Sequence, residues 1–374
     1  MQVDVLTTDD TAALRDFVAK TRHCSVQSSL DWANLICDLK EDKPYFIVAK
    51  KNDEIVGALS LYFFKNKRGN LLTSNAWNTI SGILCSQKIT EQEQVYSALV
   101  DYSISLAHEL DCAVLSISTN PFLNDKDLYL NILKPDYVLE NFVQYLLLDE
   151  VFDQKGNFVH PNYIRRTNLS RNLKKSRQSE ITISEEQCQE YVNQAFFLQE
   201  KRLMEVGAHP FPREFFESAL QNITLKGRGK FLFAFHEDRM IGMSLFLSSD
   251  KIMDIYMLCM DINFADLRPN FALTEYMLNR AHKNSIPTLN WMSSPRKDGG
   301  VYQWKKQWGS REGIFLHLTK VTGDISSWKE LSYEELGNAY KFHYLLPFNL
   351  LRVPQSQTTT KNELALFMHH SQLK

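Results

Sequence analysis

The feature that most restricts the fold is a sequence that occurs twice. Ala49 to Leu61 reads A-K-K-N-D-E-I-V-G-A-L-S-L, and Ala234 to Phe246 reads A-F-H-E-D-R-M-I-G-M-S-L-F, with Ala, Asp and Gly in the same register. Each copy reads as two short strands joined by a polar turn, which is a hairpin pattern. Each is followed by a long amphipathic helix, Glu91 to Leu110 in the first case and Phe271 to Lys283 in the second, and then by an apolar strand, Cys112 to Ile117 and Thr288 to Met292. Turn chemistry alone could make two hairpins look alike. Recurrence of the helix and strand downstream in the same order points instead to a duplicated α/β unit. Length agrees, because 374 residues exceed what one ordinary core holds. The expected division is 1–155, 156–322 and a helical tail 323–374.

Hydrophobic residues make up 44% and charged residues 23% of the chain, the balance of a folded globular protein. The formal net charge is −2, so capture of a charged partner has to come from a local patch. No apolar run is long enough to span a membrane, and the opening residues lack a signal-peptide pattern; the expectation is a cytoplasmic protein. The six cysteines form no C-x-x-C pair and most sit among apolar neighbours, which argues against a structural zinc or a disulfide frame, and no metal site is expected. G-x-S-x-G, H-E-x-x-H, the Walker loop and G-x-G-x-x-G are all missing.

Helices are expected over Thr8 to Val18, Ser28 to Leu39 and Leu123 to Leu133, strands over Tyr45 to Lys50, Glu54 to Phe64 and Phe142 to Leu148, and a polar linker over Asp153 to Pro161. The stretch Tyr163 to Gln178 carries six cations and no acid, with Leu169 and Leu173 as its apolar anchor. Arg165 precedes the helix, and Arg171, Lys174 and Lys175 share a helical face. Such a face is either simply solvated or holds a phosphate-bearing ligand. In the strand Ile252 to Met260, strict alternation puts Asp254 and Tyr256 on the side of Leu258 and opposite Met253, Ile255 and Met257. This pair suits proton transfer, or is a satisfied polar pair at a sheet edge. Glu200 to Pro212 leaves a helix through Gly207, with Arg202 and His209 as its polar candidates. Finally, Val301, Trp304, Lys305 and Trp308 fall on one helical face closed by Gly309. Lys305 either snorkels past the tryptophans or holds a cation beside an aromatic floor for an anionic or developing negative charge.

Together Tyr163 to Ile183, the Gly207 to Phe216 loop, the hairpin around Gly242 and G-V-Y-Q-W-K-K-Q-W-G from Gly300 to Gly309 resemble the FemAB-like branch of the GNAT acyltransferase superfamily. Tyr302, Trp304, Lys305, Trp308 and Gly309 resemble that branch's terminal Y-x-[FW]-K-x-x-[FW]-G motif, with one extra residue of spacing in places. The resemblance implies an α/β fold with a mixed sheet, in two tandem GNAT-like domains. It also implies transfer of an acyl or aminoacyl group to an amine or hydroxyl of a cell-envelope or small-molecule precursor, with no permanently bound cofactor and either acyl-CoA or aminoacyl-tRNA as co-substrate. Lys305, Asp254 and Tyr256 are the expected catalytic residues; Arg165, Arg171, Lys174, Lys175, Arg202, His209, Tyr302 and Trp304 are the expected substrate contacts. One departure bears on the donor. Asp266 to Leu273, where GNAT enzymes usually cradle pyrophosphate on glycines, contains none. A non-catalytic module of the same fold, recognising a nucleotide-linked sugar or an RNA end, is the alternative.

Overall fold

The computed structural model describes residues 2–6, 10–21, 24–294 and 296–343. Its strands, in chain order, are β1 Gln2–Val5, β2 Asp42–Lys51, β3 Glu54–Phe64, β4 Asn70–Thr73, β5 Leu84–Cys85, β6 Cys112–Ser118, β7 Tyr137–Leu147, β8 Ile181–Ser184, β9 Gly229–His236, β10 Arg239–Ser248, β11 Ile252–Met260, β12 Thr288–Ser293 and β13 Arg311–Val321. Two compact units result, one made of the residues up to Asn141 with those from Ile314 on, the other of Phe142–Gly313.

The first unit's sheet runs β1-β2-β3-β4-β6-β13 and the second's β8-β9-β10-β11-β12-β7. In both the first three pairings are antiparallel, the fourth is parallel and the fifth antiparallel. This is one mixed α/β topology used twice, as the repeat predicts. The sixth place is filled in exchange: β7 closes the first run of elements yet pairs with β12, and β13 closes the second yet pairs with β6. The expected boundaries at 155 and 322 divide the chain by repeat; the compact units divide it by contact.

The repeated Ala and Gly are a cross-strand pair in each copy. Ala49 lies opposite Gly57 and Ala234 opposite Gly242, and each pair adjoins a register shift near the hairpin turn. Both glycines lie under the long helix that follows. A Cβ on Gly57 would come 2.3 Å from Val95 Cγ1 in the helix Gln92–Glu109, and one on Gly242 would come 3.3 Å from Leu273 Cδ1 and Pro269 Cβ in the helix Pro269–Lys283. The helices approach the sheet closely because these positions carry no side chain.

In the first unit Leu99 and Leu106 of that helix pack with Ile47, Leu61, Leu115 and Leu318. In the second, Leu273, Met277 and Leu278 pack with Leu232, Ile255, Leu289 and Trp291. The tail forms helices at Ser326–Glu330 and Tyr333–Ala339, and Trp328, Leu336 and Tyr340 pack on Leu71 and Val114 of the first unit. The part of the expected tail beyond residue 343, and Thr8 at the start of the first expected helix, lie outside the described residues. No helix among the described residues is long and apolar enough to cross a membrane.

The two glycine contacts differ in a way that stability measurements can read. Gly57→Ala forces a buried β-branched valine to move and should destabilise by about 1–3 kcal/mol, whereas Gly242→Ala should stay within about 1 kcal/mol of wild type. Equal thermal-melt shifts, or the reverse order, would contradict this packing account.

Candidate active site in the second unit

The site begins where a parallel pairing ends. β11 and β12 are in register at Ile252/Thr288, Met253/Leu289 and Asp254/Asn290 only, after which β11 continues to Met260 and β12 to Ser293. Two strands leaving a common point make a fork with unpaired backbone along its inner edges. Both tines are irregular. On β11 the pairing with β10 steps from Leu245/Met257 to Phe246/Ile255, so Tyr256 is an extra, bulged residue. On β12 the pairing with β7 shifts between Asn290 and Ser293, and Met292 has a φ of 60°. A left-handed methionine inside a strand is strained and needs surrounding contacts to hold it.

Those contacts form a chain across the fork. Asn290 Nδ2 donates to Asp254 Oδ1 at 2.8 Å, and the Met292 N–H donates to Asn290 Oδ1 at 3.0 Å. Lys305 Nζ then donates to the carbonyls of Ser293, at 2.7 Å, and Met292, at 3.3 Å. Asp254 and Lys305 thus hold opposite ends of one network that fixes the turn at the end of β12. Next to it Ser294 Oγ donates to Gln144 Oε1 (2.9 Å), and Gln144 Nε2 donates to the carbonyl of Tyr302 (3.1 Å), which ties the helix Gly300–Gln307 to β7.

Lys305 is 8% exposed, so it does not snorkel to water. Burial alone lowers its pKa to about 7. Its ammonium is directed to carbonyl oxygens rather than to a ring face, and two hydrogen bonds leave one position on the nitrogen open. Trp304 belongs to an aromatic cluster in the same unit, 5.4 Å from Trp291, 5.6 Å from Trp308 and 5.9 Å from Phe271 between ring centroids. Tyr302 turns elsewhere: its hydroxyl donates to Glu312, which raises its pKa to about 12, and its ring meets Phe142 edge-on at 5.7 Å.

The bulge corrects one expectation. Asp254 and Tyr256 do share a side, but Leu258 does not join them; it packs with Met253 and Ile255 beneath the helix Pro269–Lys283. The extra residue at Tyr256 breaks the alternation, and beyond it Cys259 Sγ reaches the Leu198 carbonyl on the other face. Tyr256 itself stacks on Phe215 at 5.7 Å and 12° and lies 5.9 Å from Phe211, which follows the Gly207 turn. His209 is exposed in that loop, and Arg202 pairs with Glu205 at 3.0 Å.

The basic helix, Asn168–Arg177, packs through Leu169 and Leu173 against the same core, and Arg165, Arg171, Lys174 and Lys175 are all exposed. Lys175 pairs with Asp266 at 3.4 Å, Arg177 with Glu275, and Arg171 bonds Asn168. Arg165 and Lys174 have no side-chain partner among the described residues. Asn172 accepts from Arg268 Nε at 2.8 Å, and Ser176 donates to the Arg268 carbonyl at 3.2 Å, so this helix is bonded to the residue that precedes the helix Pro269–Lys283. Arg268 is left-handed at φ 66° and Pro269 follows it at the first helical position. A side chain stands where a pyrophosphate cradle has glycine, and the proline supplies no N–H. The arrangement does not fit the usual pyrophosphate loop.

Asn290 and Met292 are the parts that sequence reasoning left without a role. The available signal was the amide inside the apolar run Thr288 to Met292.

A mixed sheet whose parallel pair forks beside a buried amine is the arrangement these residues build. Residues 164–306 match the family model described as an acetyltransferase (GNAT) domain, and the fold of the chain is shared with solved structures that include a tandem GNAT protein. Among solved structures it is similar to FemX, with a TM-score of 0.65 at 13% identity over 85% of this chain and 97% of that one. A tandem GNAT protein from the clavulanic acid biosynthesis pathway gives 0.53 at 13% over 86% and 99%. The C-terminal domain of a putative lysylphosphatidylglycerol synthetase from Agrobacterium fabrum gives 0.54 at 10% over 85% and 93%. At these identities the likeness is one of fold. No curated protein matches by sequence.

The Lys305 environment has a measurable signature. An amine whose pKa falls from an ordinary 10.5 to about 7 on folding is a destabilising group below pH 7, and that penalty is relieved as pH rises from 7 towards 10.5. Wild type should therefore gain stability relative to Lys305→Met between pH 7 and pH 10. A difference in melting temperature that does not change with pH would contradict the lowered pKa.

Proposed function

We propose that the fork between β11 and β12 is the transfer site of a cytoplasmic N-acyltransferase or aminoacyltransferase. The observation that carries this reading is the network from Asp254 through Asn290 and Met292 to Lys305, because it puts an acid and a buried amine at the two ends of one rigid support. An acceptor amine attacks the donor carbonyl and gives its proton to Asp254, directly or through a water. The oxyanion is stabilised by the open position on Lys305 and by backbone N–H groups along the fork. As the carbonyl re-forms, the bond to the leaving group breaks and Tyr256 supplies its proton.

The donor is acyl-CoA held without the usual glycine loop, or an aminoacyl-tRNA; the side chain of Arg268 and the proline after it, where such a loop has glycine and N–H groups, favour a donor that needs no such loop. Arg165, Arg171, Lys174 and Lys175 steady its phosphates or those of the acceptor, with Arg202, His209, Tyr302 and Trp304 as further contacts. The acceptor of this reading is an amine or hydroxyl of a cell-envelope or small-molecule precursor, and the fold likeness to a domain named for lysylphosphatidylglycerol synthesis is in keeping with it.

Labelled acyl-CoAs and aminoacyl-tRNAs offered as a panel to the purified chain, with a cell-envelope precursor fraction, test the reading directly. Transfer from at least one donor supports it; binding without transfer across the panel would favour the non-catalytic module. With the active donor in hand, Lys305→Met should lower turnover about a hundredfold while stability at pH 7 stays within about 1 kcal/mol. Near-normal turnover would remove Lys305 from the chemistry. For the basic helix, Arg171→Ala with Lys174→Ala should weaken donor or acceptor binding strongly at low salt and less at high salt. Equal losses at both salts would mean that the helix does not act through phosphate.

A further inference from the structure

In the first unit the strand equivalent to β11 is interrupted. Leu247 pairs with Asp254 and Gly242 with Met260 in the second unit, whereas the matching partners in the first are Tyr62 with Thr73 and Gly57 with Cys85. One continuous bulged strand is thus replaced by β4 and β5 with Ser74–Ile83 between them. Every residue of that insertion is buried except Asn78, which is half-buried.

The insertion lies on a polar sheet face. Tyr62, Thr73, Ser116 and Thr319 are consecutive cross-strand neighbours, and His317 and Ser118 are paired one row along. Asn75 Nδ2 donates to Ser116 Oγ (3.3 Å), Ser118 Oγ to the Ser81 carbonyl (3.1 Å), and Ser81 and Ser60 share a hydrogen bond of 3.2 Å. Yet the Thr319 hydroxyl and both ring nitrogens of His317 are buried with no partner among the described residues. Buried polar groups left unsatisfied oppose the closed arrangement. So does the backbone, with Trp77 at φ 55° and Asn78 at φ 60°.

What holds the insertion down is a clasp to the segment Tyr340–His343. The Trp77 N–H donates to the Phe342 carbonyl at 3.1 Å, the two rings stack at 4.2 Å and 15°, and Trp77 Nε1 donates to Asp42 Oδ2 at 2.8 Å. His343 Nε2 lies 2.8 Å from Asp42 Oδ1, and its Nδ1 lies 2.7 Å from the Lys341 carbonyl. Both partners only accept. A neutral imidazole donates from one nitrogen, so the clasp as built needs the doubly protonated ring.

We propose that Ser74–Ile83 is a displaceable plug over a latent polar cleft of the first unit, and that the proton on His343 latches it. Displacement would give Tyr62, Thr319 and His317 access to water or to a polar ligand. Burial opposes the charge on His343, but Asp42 outweighs it and the ring's pKa is raised. The other titratable groups around the Asp42–His343 pair are Glu41, whose pKa is raised by burial, Lys341 on the same segment, and, on the Asp42 side, the Tyr62 phenol, raised by burial and by Asp42. A base whose pKa is raised on folding stabilises the latched form below its unfolded value and loses that contribution as pH rises through the folded one. The plug is therefore held at acidic to neutral pH and released towards alkaline pH.

Amide hydrogen exchange on the full chain tests this. Peptides covering residues 74–84, corrected for the intrinsic pH dependence of exchange, should lose at least about tenfold in protection between pH 6 and pH 9. The helix Gln92–Glu109 should stay protected over the same range. His343→Gln and Asp42→Asn should give weak protection of 74–84 already at pH 6. Protection that is independent of pH and unchanged in both variants would overturn the latch, and loss that spreads equally to Gln92–Glu109 would show unfolding of the unit rather than movement of a plug. If either variant fails to fold, the wild-type pH series decides alone.

Discussion

The end of parallel pairing at Asp254 and Asn290 is the constraint on which the proposed transfer site depends. Hydrogen bonding between parallel strands is continuous by default, so a fork persists only where each strand is prevented from completing the ladder. Here an extra residue at Tyr256 rotates one strand, and the left-handed Met292 turns the other. Asn290 serves both sides: its amide group donates to Asp254 and its carbonyl accepts from the Met292 N–H. Removing that one side chain would take a hydrogen bond from a buried carboxylate and side-chain support from a strained turn at the same time.

Lys305 completes the support from the far side. A buried amine is costly, as its lowered pKa records, and a fold that needed only a filled space could use methionine there. The lysine instead supplies N–H groups to two strand-end carbonyls and keeps one position of its nitrogen open. The first unit shows the contrast. Thr73 and Ser116 stand where the second unit has Asp254 and Asn290, and its own insertion fills the space beside them. The same topology thus carries a fork without such an insertion in one copy and a fork with it in the other.

The duplication, the hairpins, the long helices and the mixed sheet were legible in the sequence because periodicity, turn residues and the Ala–Gly register are local signals. The exchange of β7 and β13 was not, since nothing in a strand's own residues says which sheet it will join. The side of Leu258 was misread for a related reason: one bulged residue reverses all that follows, and a bulge leaves no mark in composition. Lys305 is marked in the sequence by its aromatic neighbours, but what it touches is backbone carbonyl, which has no sequence signature. Asn290 stood in plain sight as a lone amide in an apolar strand, and its role depended on a partner 36 residues away.

The most direct test of the account is to find where the reacting acyl group sits. A photoreactive acyl group, delivered on coenzyme A and on tRNA and irradiated in complex with the full chain, can be mapped by peptide mass spectrometry. The account predicts labelling of residues 254–260 and 290–305, competed by the unmodified donor and lost in Asn290→Ala. Competed labelling confined to residues 60–120, with 254–305 unmarked, would contradict it.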